Sequence, residues 1–231
     1  MKKYGRVLYA LSIASIIVLA AACNQAPKGD EAKITDKQEA TEGEGLSFAI
    51  DTSKSNIRFT GHGVGKNHPG NFKLTSGHVH IQNNQITGGD FMIDIKSLVV
   101  EQQGEMFQKK LKPHLLSGDF LDAEKFGQAS FEITSVEPYN PSQNDTSIVD
   151  GANFNVSGNL KLKDVTKNIT FPARIDLDDN SLKAEANFDI DRTQWQINYG
   201  NDKTLGDKFI SEKVNIELDL EAQKEAQGQN M

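Results

Sequence analysis

The sequence predicts an all-β domain of antiparallel strands, and three observations lead to this prediction. First, apolar and polar residues alternate strictly over four stretches: 154–162, 169–177, 182–190 and 214–220. Second, clusters of Asp, Asn, Ser and Gln lie between such stretches, as at 82–85 and 178–181. Third, only 102–116 breaks this period, with a pattern that favours a helix. A period of two gives each strand one dry and one wet face, which is typical of antiparallel sheets joined by hairpins.

The first 22 residues have the organisation of a secretory signal. Lys2, Lys3 and Arg6 precede an uncharged stretch, Leu8–Ala22, that ends in three alanines. This stretch is short for a membrane-spanning helix, so we expect residues 1–22 to be a signal peptide, with an uncleaved anchor as the alternative.

The single cysteine, Cys23, follows directly. The run Leu19–Cys23 resembles the lipobox of bacterial lipoproteins, in which the cysteine becomes the acylated first residue. Acyl chains on Cys23, palmitate among them, would hold the protein on a membrane because each buried CH₂ contributes ~0.8 kcal/mol. Asn24, rather than Asp, follows the cysteine. This favours the outer membrane, with the domain in the periplasm.

Charge and cysteine content exclude two classes of function. The 231 residues carry a formal net charge of −7, and loss of the three cations before Cys23 gives −7 − 3 = −10. Phosphate binding needs a basic surface, so we expect no nucleic-acid partner. One cysteine excludes a disulfide framework and a cysteine-based zinc site.

Composition also divides the chain. Residues 24–45 contain no aromatic residue and almost no large apolar one, so 23–45 is predicted to be an acylated cysteine and a flexible tether. The polar end, 222–231, is predicted to be a disordered tail. The folded domain is therefore predicted over 46–221.

Shorter alternating patterns precede the four long ones. They occur at Leu46–Asp51, Asn56–Gly61, Asn71–Ile81, Phe91–Lys96 and Phe131–Val136. The spacing of the later strands predicts consecutive hairpins. Pro172, which cannot donate to a ladder, predicts a bulge or an edge. Met106, Lys109 and Leu115 belong to a helix-friendly pattern that predicts a short helix within 102–116, interrupted by Pro113.

Eight or nine strands that are each dry on one face must bury that face against one another. A closed barrel removes the strand edges, whereas a sandwich keeps some of them. The inward phase places small residues, such as Gly158, Ala173, Ala184 and Ala186, among Phe and Ile. An eight-stranded barrel lined in this way either holds an apolar cavity or fills its core, and the pattern leaves both open.

Several stretches, in chain order, carry the motifs of one known family. They are Ile50–Phe59, Gly70–Phe72, His114–Phe131, Gly158–Lys167 and Ile190–Ile197. On these stretches the domain resembles the YceI-like family, lipocalin-like barrels that bind polyisoprenoids. The most specific is His114–Phe131, with its Asp119-Phe120 pair and Asp122. Asp164 and Gln196 stand at two places where the family has glycine.

The resemblance implies an eight-stranded antiparallel lipocalin-like barrel around a long apolar tunnel, with the helix near 102–116 at one end. We expect it to bind or carry a polyisoprenoid or isoprenoid quinone without catalysis. The expected ligand-binding residues are Phe59, Phe72, Phe91, Ile93, Phe131, Phe154, Phe171, Phe188, Arg192 and Trp195. Arg192 is the expected cation for a quinone or phosphate headgroup, and His62 is a second candidate.

Other functions have fewer observations behind them. An envelope adhesin or protein-interaction module with a filled barrel core is the alternative. The chain has no G-x-S-x-G, H-E-x-x-H, P-loop or G-x-G-x-x-G motif, so no catalytic residue is expected. His78 and His80 share a strand face, but no third ligand lies nearby in the sequence, and no metal site is expected. The sequence leaves open whether the protein forms a homodimer.

Overall fold

The alternating stretches form long strands that close into a barrel in the computed structural model, which describes residues 28–141 and 146–226. The predicted signal peptide, Cys23 and the end of the predicted tail lie outside these residues. The strands are β1 (Asp30–Glu31), β2 (Lys33–Asp36), β3 (Leu46–Ile50), β4 (Asn56–Gly63), β5 (Lys66–Gln82), β6 (Gln85–Val100), β7 (Gln128–Pro138), β8 (Phe154–Leu162), β9 (Val165–Leu177), β10 (Ser181–Asp191) and β11 (Ile210–Lys224).

The eight strands from β4 to β11 form the barrel, and each is antiparallel to both of its neighbours. The ring closes where β11 pairs with β4, with Leu218 opposite Ile57. β3 lies beyond the start of β4 and pairs with the same two neighbours, β11 and β5. The predicted eight-stranded antiparallel barrel is confirmed.

The predicted helical region lies at one end of the barrel. Met106–Leu111 forms a π-helical segment, and α1 (Lys112–Leu116) follows it. Pro113 lies in the first turn of α1, where a missing N–H costs no helical hydrogen bond. Two 3₁₀ segments, Arg192–Trp195 and Lys203–Lys208, connect β10 to β11. Within the described ranges, none of the helices has the length and apolar character needed to cross a membrane.

β9 and β10 pair with each other along only part of their length. Residues 182–186 of β10 lie opposite 173–177 of β9, and the strands separate beyond this point. The gap is closed by the N-terminal segment, residues 28–41. Its strand β1 pairs in parallel with Phe188–Asp189, and β2 pairs with Lys167–Thr170. Pro172 therefore lies between the two pairings of β9.

This pairing corrects the predicted tether. The prediction of a flexible stretch over 23–45 is wrong for residues 30–36, which form part of the barrel wall. The physical reason is that the open seam between β9 and β10 offers both unpaired strand edges and a place to bury apolar groups. Ala32, only 6% exposed, and Ile34 pack against the core there.

The predicted tail begins too early. β11 continues to Lys224, and Ala222 is fully buried opposite Ile50. Ala222 keeps the inward phase of Val214 to Leu220, so the alternation itself extends one residue beyond the predicted end of the domain.

Candidate functional site

The interior of the barrel holds an apolar cavity of about 350 Å³. Its lining extends from Leu182 and Leu220, near the β9–β10 turn, to Gly63 and Ile210 at the end of the barrel that carries the helical segments. This volume lies within the range of roughly 300–1,000 Å³ that is typical of small-molecule sites. The inward phase of the strands therefore encloses a space for a ligand, and the filled core that the sequence left open is not observed in the described part of the chain.

Almost every side chain that lines the cavity is apolar. The ionisable exceptions among the described lining residues are His62, His68, Glu185 and Arg192. Glu185 accepts a hydrogen bond from Arg174 at 2.6 Å, so its charge is already paired. An apolar chain placed in this cavity leaves water without leaving polar groups unsatisfied, and this favours binding through the hydrophobic effect.

Two glycines with the inward phase have opposite surroundings. A Cβ added to Gly61, on β4, would meet no atom within 4 Å. A Cβ added to Gly158, on β8, would lie 2.2 Å from Cζ of Phe131. Gly61 thus borders open space in the cavity, whereas Gly158 makes room for an aromatic ring.

The structure brings eight of the ten predicted ligand-binding residues to the cavity. They are Phe59, Phe72, Phe91, Ile93, Phe131, Phe171, Phe188 and Arg192. Each of the seven apolar members lies on a barrel strand in its inward phase, which is why the alternation located them.

Four of these rings form a continuous row across the barrel wall. Phe171 stacks on Phe188 with ring centroids 4.0 Å apart and an interplanar angle of 12°. Phe131 lies 6.0 Å from Phe171 and 6.1 Å from Phe91. Because the four residues come from β10, β9, β7 and β6, the row joins strands that are far apart in the sequence. Phe59 and Phe72 form a separate pair at 5.1 Å.

Phe154 and Trp195 do not line the cavity. Phe154 is the first residue of β8 and packs half-buried against the rim of the core. Trp195 follows the end of β10, is fully buried, and donates its indole N–H to the carbonyl of Leu160 at 3.0 Å. The inward phase of β10 does not continue into the 3₁₀ turn, so alternation could not place this ring.

Arg192 lies in the lining but not as an exposed rim cation. It is 4% exposed and donates to four backbone carbonyls, those of Ser211, Ile197, Tyr199 and Ile210. The bonds from Nε to Ser211 and from Nη2 to Tyr199 measure 2.8 and 2.9 Å. Burial lowers the pKa of the guanidinium, and the nearby carboxylates of Glu212 and Asp191 oppose this shift. Arg192 therefore holds the connection between β10 and β11 in place.

Two histidines contribute polar atoms at the helical end. His62 Nδ1 lies 2.5 Å from Oδ1 of Asn67, and His68 Nδ1 lies 3.0 Å from Oε1 of Gln102. Gln102 in turn donates to the carbonyl of Asn67 at 2.7 Å. Amide oxygens only accept, so each Nδ1 is placed to donate a hydrogen bond to its partner. Sequence reasoning selected His62 and missed His68, because His68 lies on β5 beyond the stretch whose alternation was recognised.

The described residues contain no group of three or more His, Cys, Asp or Glu side chains arranged to hold a metal ion. His78 and His80 lie half-exposed on the outer face of β5, since Val79 and Ile81 take its buried face. Ser211 is the sole hydroxyl side chain among the described lining residues.

Comparison with known proteins places these features in a family. The model of the YceI-like domain matches residues 48–222. No curated protein matches the sequence.

Solved structures share the fold at low sequence identity. BcnA of Burkholderia cenocepacia superposes with a TM-score of 0.58 and 19% identity, covering 74% of this chain and 98% of that one. A polyisoprenoid binding domain from Saccharophagus degradans, implicated in plant cell wall breakdown, superposes with a TM-score of 0.57 and 14% identity, covering 78% of this chain and 99% of the other. The Campylobacter jejuni YCEI protein superposes with a TM-score of 0.50 and 22% identity, covering 68% of this chain and 85% of that one.

Proposed function

Because the chain belongs to the YceI-like family, we propose that it binds a polyisoprenoid or an isoprenoid quinone inside the barrel. The observation that carries this proposal is the apolar cavity of about 350 Å³ with its row of phenylalanine rings. The Saccharophagus degradans domain, which has the same fold, is a polyisoprenoid binding domain, and this supports the choice of ligand class.

The physical basis of binding is desolvation. Each Å² of apolar ligand surface removed from water contributes ~25 cal/mol, so a hydrocarbon chain in a dry cavity needs few hydrogen bonds. The flat faces of Phe171 and Phe188 give the unsaturated chain a rigid surface to pack on. Binding, rather than turnover, is the role that such a lining serves.

The headgroup of the ligand belongs at the helical end. The polar side chains His62 and His68 line the cavity there. Arg192 is the third candidate, but four carbonyls occupy its donors. We therefore assign headgroup contact first to the histidines and give Arg192 the role of positioning the connection beside them.

We also propose that the protein works at the bacterial cell envelope as a lipoprotein acylated at Cys23. The support is the basic, apolar and small-residue order of residues 1–22 followed by the single cysteine. Asn24 supports the outer membrane, with the barrel in the periplasm. A carrier of membrane lipids has its ligand source in that location.

The alternative, an adhesin or interaction module, required a barrel with a filled core. Its core would leave no room inside the barrel, whereas the described residues enclose a cavity.

The test is mass spectrometry of lipids extracted from the purified full-length chain, with the Gly61→Leu variant beside it. The Cβ of the added side chain enters open space from the inward face of β4, so the leucine occupies part of the cavity. We expect isoprenoid lipid from the native chain and several-fold less from Gly61→Leu, at an unchanged melting temperature.

Thr60→Leu is the matched control, because Thr60 is the neighbour of Gly61 on the same strand and faces the other side of the sheet. It should retain the lipid. Extraction of no isoprenoid from any of the three proteins, after expression in a host that makes isoprenoid lipids, would contradict the proposal.

A further inference from the structure

One end of the barrel carries three segments that are linked through contacts of the residues in and beside them. They are the β4–β5 turn at 64–66, the helical segment at 105–112 and the connection at 199–208, together called the helical end. Gly63 lies opposite Ile210, which follows the connection, and Ile210 donates to Gly200 at 2.7 Å. The rings of His68 and Phe107 lie 6.1 Å apart, and those of His114 and Tyr199 lie 4.7 Å apart.

Exposed apolar side chains concentrate on this end. Six large apolar side chains are exposed among the described residues, and four of them belong to the three segments. They are Val64 at 53%, Met106 at 58%, Tyr199 at 46% and Leu205 at 43%. None of these four lines the cavity, although the ring of Tyr199 also packs on those of His114 and Phe120. Apolar groups gathered on one surface indicate a site of contact with an apolar partner.

The charge of the helical end is opposite to that of the whole protein. The three segments contain six lysines and three acidic residues, a net charge of 6 − 3 = +3, in a chain of net charge −7. Lys110 and Lys203 are among the exposed lysines. Apolar side chains surrounded by lysines fit a membrane with anionic headgroups, because the lysines meet phosphates while the apolar groups enter the boundary of the acyl chains.

From these observations we infer that the helical end docks onto an anionic membrane surface, with Val64, Met106, Tyr199 and Leu205 entering the headgroup boundary. The inference rests on the proposed function, since docking in this orientation sets the polar end of the cavity against the source of the lipid. The ligand then passes between bilayer and cavity without crossing water.

The test places an environment-sensitive fluorophore on single cysteines introduced into the full-length chain with Cys23→Ala. Val64→Cys and Leu205→Cys report on the helical end, and Ile148→Cys, exposed to a similar extent at 51%, is the matched control. With vesicles of phosphatidylcholine and phosphatidylglycerol, we expect a blue shift and a several-fold rise in emission at positions 64 and 205 only. Equal responses at all three positions, or none at 64 and 205 in vesicle-bound protein, would overturn the inference.

Charge reversal gives a second measurement. Lys110→Glu with Lys203→Glu should weaken binding to the same vesicles roughly 30-fold, at ~1 kcal/mol for each lysine near an anionic surface. Lys73→Glu with Lys224→Glu changes the net charge equally at exposed sites outside the three segments and should leave binding unchanged. A blue shift at position 64 that depends on protein concentration and not on vesicles would indicate a second copy of the chain as the partner, and would contradict membrane docking.

Lipid extraction from the same charge variants separates this inference from the proposed function. Loss of vesicle binding with retained isoprenoid supports docking as a distinct property. Retained isoprenoid together with unchanged vesicle binding overturns docking and leaves the lipid-binding proposal in place.

Discussion

Asn159 binds the backbone of Gln38 in both directions across 121 positions of the sequence. Its Nδ2 donates to the carbonyl of Gln38 at 2.8 Å, and its Oδ1 accepts from the N–H of Gln38 at 3.0 Å. Asn159 is 2% exposed although it lies on the outer face of β8, because the N-terminal segment covers it. Asn168, opposite Asn159 on β9, donates to Thr134 at 2.9 Å. A buried asparagine thus fixes the N-terminal segment to the wall.

Replacing Asn159 with Leu should release the N-terminal segment. The two hydrogen bonds to Gln38 are lost, and we expect about 1–3 kcal/mol less stability from the backbone groups left without partners. Hydrogen exchange should quicken in residues 33–41 before the rest of the barrel. Asn155→Leu, on the same strand away from this contact, is the control. Unchanged exchange in Asn159→Leu would show that the strand pairing of β2 alone holds the segment.

Replacing Arg192 with Met should loosen the connection between β10 and β11. The variant keeps an unbranched apolar stem but leaves four buried carbonyls without their donor. We expect a loss of roughly 2–4 kcal/mol in the free energy of unfolding, measured in urea, and faster proteolysis at Lys203 or Lys208. Arg192→Lys, with three donors, should recover part of the loss. If neither variant lowered stability, Arg192 would not be the positioning residue described above.

Gly158→Ala should destabilise the barrel, and Gly61→Ala should not. The methyl group at 158 would meet the Phe131 ring at 2.2 Å and force it to move, which costs about 1–3 kcal/mol as in other overpacked cores. The methyl group at 61 enters free space. Chemical denaturation of both variants measures the difference. Equal stabilities would mean that the Phe131 ring turns away at no cost.

Asp191 should make stability depend on acid pH. Burial alone would raise the pKa of this carboxyl, but hydrogen bonds from Thr193 and Gln194, with Arg192 nearby, hold the pKa below its ordinary value. A lowered folded-state pKa contributes stability that is complete above the unfolded pKa, about 4, and is lost as the pH falls through the folded value. Asp191→Asn should therefore be less stable near pH 7 and lose less on acidification to pH 3. Parallel pH profiles for both proteins would contradict this role.

The barrel strands were predictable because their signal is local. In β8 to β11 every second residue is apolar over nine or more positions, so both the strand and its inward face follow from sequence. The inward face then identified Phe171 and Phe188 as cavity residues. Whether opposing side chains meet or leave a space depends on barrel geometry, which alternation does not contain.

The N-terminal segment was not predictable for a different reason. Its few apolar residues, chiefly Ala32 and Ile34, give no periodic pattern, and the strands with which it pairs lie more than 130 residues away along the chain. Trp195 was wrongly assigned to the cavity, and His68, which does line it, was not assigned. Trp195 follows the end of β10, where alternation no longer tells which way a side chain points. His68 lies on β5 before the part of that strand whose alternation can be recognised.

The closure of the seam by residues 30–36 means that family similarity, which begins at residue 48, marks a shorter unit than the one that folds. A protein cut to the matched region would leave residues 167–170 of β9 and 188–189 of β10 without their strand partners. The barrel wall would then be open beside Phe188. We expect such a truncated barrel to lose its ligand through this opening and to aggregate through the unpaired strand edges.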